Sequence, residues 1–220
     1  MTRVTKMKVG PVLLLTGLNC NIPGAFYSNF VETLLRNHVP VQAVHHRYIV
    51  SPQRWVETYD QLCKMSFRGD LLTHSSSASA ALRYASVYPG RVRKLVLMDP
   101  VLHERATAWD HTSVPDTLIC TTSMSDMFQP AHRSGEDLYR ALLPGEVTHA
   151  TFHAGHSDLL NPEYVSLLAG VIPSLLAQRA PPEDRSPLAA YQESVAEHIA
   201  EFLGARSRPA ARSANPIPRI

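Results

Sequence analysis

Short, almost uninterrupted apolar runs recur along the chain, separated by longer stretches with helical spacing. Residues 12–16, VLLLT, form such a run and stop at Gly17; a run this short, closed by a turn residue, predicts a strand. The same pattern predicts strands over residues 39–44, 70–74, 92–98, 116–121 and 146–152. In 92–98 five of the seven positions are apolar, four of them consecutive. That continuity is expected of parallel strands buried on both faces. Helical spacing places Phe26, Phe30, Val31, Leu34 and Leu35 on one side of a helix over 26–37. A second helix starts at Pro52, where proline is tolerated, with a stripe of Trp55, Val56, Tyr59 and Leu62. A third carries the small face Ala78, Ala80, Ala81, Leu82, Tyr84 and Ala85, and Tyr88-Pro89-Gly90 ends it. Further helices are predicted over 134–143, with Ser134 as cap, and over 164–178, broken by Pro173. Strands alternating with helices predict an α/β fold: about six mostly parallel strands with helices on both faces.

The organisation read from this pattern is one domain over 1–178 and a Pro-rich, charged linker over 179–187. A C-terminal amphipathic helix over 188–204 follows, then a disordered basic tail over 205–220. Tyr191, Val195, Ile199, Phe202 and Leu203 give that helix an apolar side, and Gly204 ends it. It docks on the domain or on a partner. The tail holds Arg206, Arg208, Arg212 and Arg219 without an acid, a composition expected of a solvated end.

Composition narrows the function classes. The chain has 220 residues, 45 % of them hydrophobic, and no run approaches the ~18 apolar residues of a membrane span. The basic first ten residues lead into an apolar run too short for an export signal. Cys20, Cys63 and Cys120 are odd in number and widely spaced, as expected of reduced thiols in a cytoplasmic protein. No paired Cys or Cys–His spacing suggests zinc, and His45 and His46 point to opposite faces of a strand. The net charge of +2 gives no reason to expect nucleic acid. No metal and no cofactor are expected.

The chemistry concentrates where strand 70–74 runs into Ser75, Ser76 and Ser77 and then a helix. A serine on such a turn is exposed at the carboxyl end of the sheet, and the next N–H lies at a helix N-terminus. Thr73-His74-Ser75-Ser76-Ser77 resembles the nucleophile elbow, Gly-x-Ser-x-Gly, of the α/β-hydrolase superfamily, and LRYASVYPGRVRKLVLMDP looks like that family's continuation. Neither glycine is present: Thr73 and Ser77 stand in their places. The resemblance implies Ser75 as nucleophile, with Ser76 supplying one oxyanion N–H. Thr16-Gly17 is similar to the family's His-Gly after the first strand, which implies Leu18 as the second oxyanion donor. It implies a triad acid a few residues past strand 116–121, at Asp126, with Asp99 as the competing position. Gly155-His156 after the last strand is similar to the family's histidine loop and implies His156 as base, with His149 and His153 as rivals. The order Ser75, Asp126, His156 follows the family's succession. Only about fourteen residues separate the two strands where the family often inserts a cap, so a cap-less fold is expected, with an open pocket shaped by the 103–111 loop.

These residues point to a serine hydrolase that cleaves a carboxylic ester or thioester of a small-molecule acyl substrate through an acyl-enzyme. The alternative is a catalytically inactive relative that serves ligand or partner binding. A third reading is an interaction protein that uses the C-terminal helix and tail.

Overall fold

The computed structural model describes residues 11–46, 55–123, 146–169 and 188–205. The expected helix over 134–143, the linker over 179–187, the arginines of the tail and Asp126 lie outside the described residues. Six strands form one sheet: β1 (Val12–Leu15), β2 (Val41–Val44), β3 (Gly69–His74), β4 (Val92–Met98), β5 (Thr117–Thr122) and β6 (Val147–Phe152). Their order is β2-β1-β3-β4-β5-β6, and every neighbouring pair is parallel.

The continuous apolar strands divide their side chains between two cores. Val12, Leu14, Leu72, Val96, Met98 and Leu118 face one side. There they meet Phe30 and Leu34 of α1 (Ser28–Arg36), Val165 of α4 (Pro162–Ala169) and Tyr191, Val195 and Ile199 of α5 (Leu188–Leu203). Leu13, Leu15, Leu71, Leu95, Leu97 and Ile119 face the other side. They pack on Leu62 of α2 (Trp55–Met65) and on Ala78, Ala81, Leu82 and Ala85 of α3 (Ala78–Val87). The alanines bring α3 close to the sheet, while each buried leucine contributes about 1.5–3 kcal/mol. The C-terminal helix α5 is docked on the domain, and Gln192 bonds the carbonyls of Asp158 and Leu159.

Two boundaries differ from the sequence pattern for tertiary reasons. The helix expected over 26–37 is a 3-10 turn, Gly24–Tyr27, followed by α1. Asn161, far along the chain, accepts the Asn29 N–H and donates its own N–H to the Phe26 carbonyl, fixing the break. The second strand starts at Val41 because Val39 N–H turns back to the Leu34 carbonyl. At Gly69, φ is +153° and an added Cβ would lie 2.2 Å from the Pro11 carbonyl, so only glycine fits this close strand approach.

The strand order reverses between β1 and β3: from β1 the chain goes outwards to β2, then returns to the other side of β1 at β3. Ligands of open α/β sheets bind outside the carboxyl ends of strands at such a reversal. The Gly17 turn after β1 and the serines after β3 lie there.

Candidate active site

Ser75 follows β3 directly, with φ of 59°. A non-glycine residue in this region costs on the order of 1–3 kcal/mol and persists only where its surroundings hold it. Here Ser75 opens a 3-10 turn, Ser75–Ser77, that runs into α3, and its carbonyl accepts the Val101 N–H. The side chain is 6 % exposed. His156 Nε2 lies 2.9 Å from Ser75 Oγ, and His156 Nδ1 lies 2.6 Å from Asp99 Oδ2. With Nδ1–H given to the carboxylate, Nε2 is free to accept the serine proton. The three side chains thus form one line, hydroxyl to imidazole to carboxylate.

The carboxylate that meets His156 is Asp99, the competing acid of the sequence reading. Asp126 lies outside the described residues. Asp99 follows β4 with φ of 44°, a left-handed conformation that aspartate adopts more readily than most residues. Its Oδ1 accepts the Thr122 N–H and its Oδ2 the Thr122 hydroxyl, and its own N–H donates to the Cys120 carbonyl. Burial pushes the Asp99 carboxyl up, but the bonds from His156 and Thr122 outweigh it and hold it at about 2. The rival histidines have other partners: His149 Nε2 meets the Thr121 hydroxyl and His153 Nδ1 the Ser123 hydroxyl.

The turn after β1 is the second strained element. Leu18, Asn19 and Cys20 have φ of 52°, 52° and 62°, three consecutive left-handed residues without a glycine. Each costs about 1–2 kcal/mol in isolation. Hydrogen bonds hold the turn from all sides. Ser76 Oγ accepts the Asn19 N–H at 3.0 Å, and Ser77 Oγ accepts the Cys20 N–H and donates to the Thr16 carbonyl. The Thr58 hydroxyl donates to the Asn19 carbonyl and the His46 N–H to the Cys20 carbonyl. Ser76 and Ser77 thus stitch the turn after β1 to the turn after β3. Among the described residues, no protein acceptor takes the N–H of Leu18 or of Ser76. Burial pushes the Cys20 thiol up to about 11, leaving it an inert packing group beside the serines.

Thr73 and Ser77 replace the two glycines differently. Ser77 places its hydroxyl between the two turns. Thr73 sits in β3 opposite Leu15 and Leu97, wholly buried, and its hydroxyl has no hydrogen-bond partner among the described residues. Between β4 and β5 the chain forms only a 3-10 turn, Glu104–Ala108, so no cap domain is inserted there. That connection is fastened to α3 by the His103 N–H on Ser79 Oγ, and Trp109 packs against Trp55 with ring centres 4.8 Å apart.

Sequence reasoning missed Thr122 and Tyr27. Thr122 is one more β-branched residue at a strand end. Tyr27 is wholly buried, and its hydroxyl accepts the Gly17 N–H at 2.8 Å and meets His74 Nδ1 at 2.7 Å. Its one signal was chemical: a tyrosine beside an apolar helix face needs a partner for its hydroxyl when buried.

Several solved structures share this architecture. The chain aligns with a dienelactone hydrolase from Anabaena variabilis at 14 % identity and TM-score 0.59, covering 92 % of this chain and 88 % of that one. A monoacylglycerol lipase from Paleococcus ferrophilus gives 14 % identity and 0.58 over 90 % and 95 %. The esterase domain of a Rhodothermus marinus protein gives 10 % and 0.55 over 92 % and 89 %. The chain therefore has the α/β-hydrolase fold, with no cap between β4 and β5. No family model matches it, and no curated protein sequence is similar enough to count as a relative. No helix among the described residues is long and apolar enough to cross a membrane.

Proposed function

We propose that this protein is a serine hydrolase that cleaves a carboxylic ester or thioester, with Ser75 as nucleophile, His156 as base and Asp99 as acid. The observation that carries the reading is the single histidine bonded to both a strained, buried serine and a buried carboxylate. Ser75 Oγ attacks the acyl carbon while His156 Nε2 takes its proton, and Asp99 stabilises the imidazolium. The N–H groups of Leu18 and Ser76 receive the oxyanion, a pair of donors of which each is worth about 3–4 kcal/mol in the transition state. The tetrahedral intermediate collapses with loss of the alcohol or thiol, which takes the proton from His156. Water, deprotonated by the same histidine, then attacks the acyl-enzyme and releases the acid.

The decisive test is labelling by a fluorophosphonate probe, with wild type beside Ser75→Ala. Wild type is expected to label, and Ser75→Ala to lose both labelling and ester turnover, the latter by roughly 10⁴–10⁶-fold. Labelling of both proteins would move the nucleophile away from position 75. Absence of labelling in well-folded wild type would overturn the reading.

A further inference from the structure

The machinery so far described gives no task to a buried imidazole beside it. His74 is wholly enclosed directly before the nucleophile, its ring 4.9 Å from that of His156. Its Nδ1 lies 2.7 Å from the Tyr27 hydroxyl and its Nε2 lies 3.0 Å from the His156 carbonyl oxygen. The roles along this line are forced. Gly17 N–H can only donate, so the Tyr27 oxygen accepts it. The His156 carbonyl can only accept, so His74 Nε2 carries a proton. In a neutral imidazole Nδ1 is then bare, and it takes the Tyr27 O–H. Burial, and the neighbouring His156, push His74 down to about 3, which keeps it neutral. Asp99 pulls the other way and is outweighed. Burial pushes the Tyr27 phenol well above its usual range, so its proton also stays.

We infer that the Tyr27 hydroxyl and the His74 imidazole form a positioning relay that sets the Leu18 turn and the His156 loop against each other. The inference rests on the serine-hydrolase reading. The relay starts at Gly17, whose N–H precedes the proposed oxyanion donor Leu18, and ends on the backbone of the base itself. Gly17 leaves it room: an added Cβ would lie 3.1 Å from both Tyr27 Oη and His74 Nδ1. The rest of the His156 loop is fixed by its own bonds, Asp158 Oδ2 accepting the Gly155 N–H and Gln192 holding the Asp158 carbonyl. His74 Nε2 thus ties the His156 backbone oxygen to the nucleophile strand. Neither Tyr27 nor His74 exchanges a proton with substrate.

The test compares Tyr27→Phe, His74→Leu and His74→Gln with wild type, using fluorophosphonate labelling kinetics and turnover of p-nitrophenyl acetate. Tyr27→Phe and His74→Leu are expected to lower kcat and the labelling rate about 10–100-fold with KM little changed, the signature of misplaced catalytic groups. His74→Gln keeps an N–H for the His156 carbonyl and is expected to recover part of the loss. Folded Tyr27→Phe reacting as fast as wild type would overturn the relay, and so would a His74→Gln no better than His74→Leu. Nitrogen NMR of ¹⁵N-histidine protein reads the relay without activity, with His74 assigned by its loss in His74→Gln. The expected signal is a bare Nδ1 and a protonated Nε2 that do not titrate between about pH 5 and 8. The opposite tautomer, or titration in that interval, would refute the relay even if Tyr27→Phe failed to fold. An unlabelled wild type with the expected spectrum would instead retire the hydrolase reading and with it the catalytic role of the relay.

Discussion

Asp70 and Asp99 are both buried carboxylates on adjacent strands, one near the amino end of β3 and the other just beyond the carboxyl end of β4, and their surroundings treat them oppositely. Asp99 accepts three hydrogen bonds, from His156, the Thr122 N–H and the Thr122 hydroxyl, and its carboxyl is held down. Asp70 pairs with Arg93 through one oxygen and leaves the other unpartnered among the described residues. Burial there pushes the carboxyl up, and Arg93 offsets this only in part. Arg93 itself is 41 % exposed. The difference lies in organisation rather than in burial. At the carboxyl ends of the strands the backbone turns left-handed and delivers several donors to one point, as a site that must stabilise charge requires. At the amino end Arg93, and after it Lys94, offset the burial only in part.

The comparison can be broken most sharply at Asp99. Asp99→Asn is expected to lower turnover about 10⁴-fold with little effect on substrate binding, since the amide misdirects the His156 tautomer. Asp126→Asn is expected to leave turnover unchanged, and the reverse pattern would return the acid to Asp126. Ser77→Gly restores the glycine of the elbow pattern, yet is expected to slow fluorophosphonate labelling and to cost about 1 kcal/mol in urea unfolding. It removes the hydroxyl that ties Cys20 N–H to the Thr16 carbonyl, two groups that keep one bond to each other. Thr73→Val keeps the shape and removes a buried hydroxyl without a partner. It is expected to raise stability by up to about 1 kcal/mol and leave labelling intact; a fall in stability would mean that the hydroxyl has a partner.

The smallest effect is expected at Asp70, and its sign opposes that of Asp99. A carboxyl raised in the folded state keeps its proton to higher pH than in the unfolded chain. Ionised Asp70 therefore lowers stability above its folded value, and stability is regained as pH falls through that value towards the ordinary carboxylate range. Asp99, held at about 2, contributes stability above the ordinary range that is lost as pH falls through about 2. Asp70→Asn is expected to change stability near neutral pH by less than about 1 kcal/mol and to remove the acid-side gain, measured by thermal unfolding against pH.

The strands, their parallel arrangement and the strand–turn–helix around Ser75 were legible because each is local. Continuous apolar runs can be buried only from both sides, and residues 92–98 formed a strand with the bounds that pattern predicts. The placement of Ser75 and His156 just past strand ends was legible because each follows its strand with a short recognisable turn. Which carboxylate would meet His156 was less so. Asp99 and Asp126 each follow a strand in the chain, and sequence order favoured Asp126, which lies outside the described residues. What brought Asp99 to His156 was the pairing of β4 with β5, which puts the Thr122 N–H and hydroxyl beside the Asp99 carboxylate. Ser77 looked small enough to stand in for its glycine, and the β-branched Thr73 looked a misfit. Only the packed structure separated a hydroxyl that bridges two strained turns from one buried without a partner. Tyr27 joined the site for the same reason: residues 27, 74 and 156 meet only after the sheet has formed. The strands, the helices and the serine turn depend on near neighbours and so follow from the chain alone. The tertiary structure decided which distant polar groups meet, because a buried donor or acceptor must find its partner wherever the chain brings one.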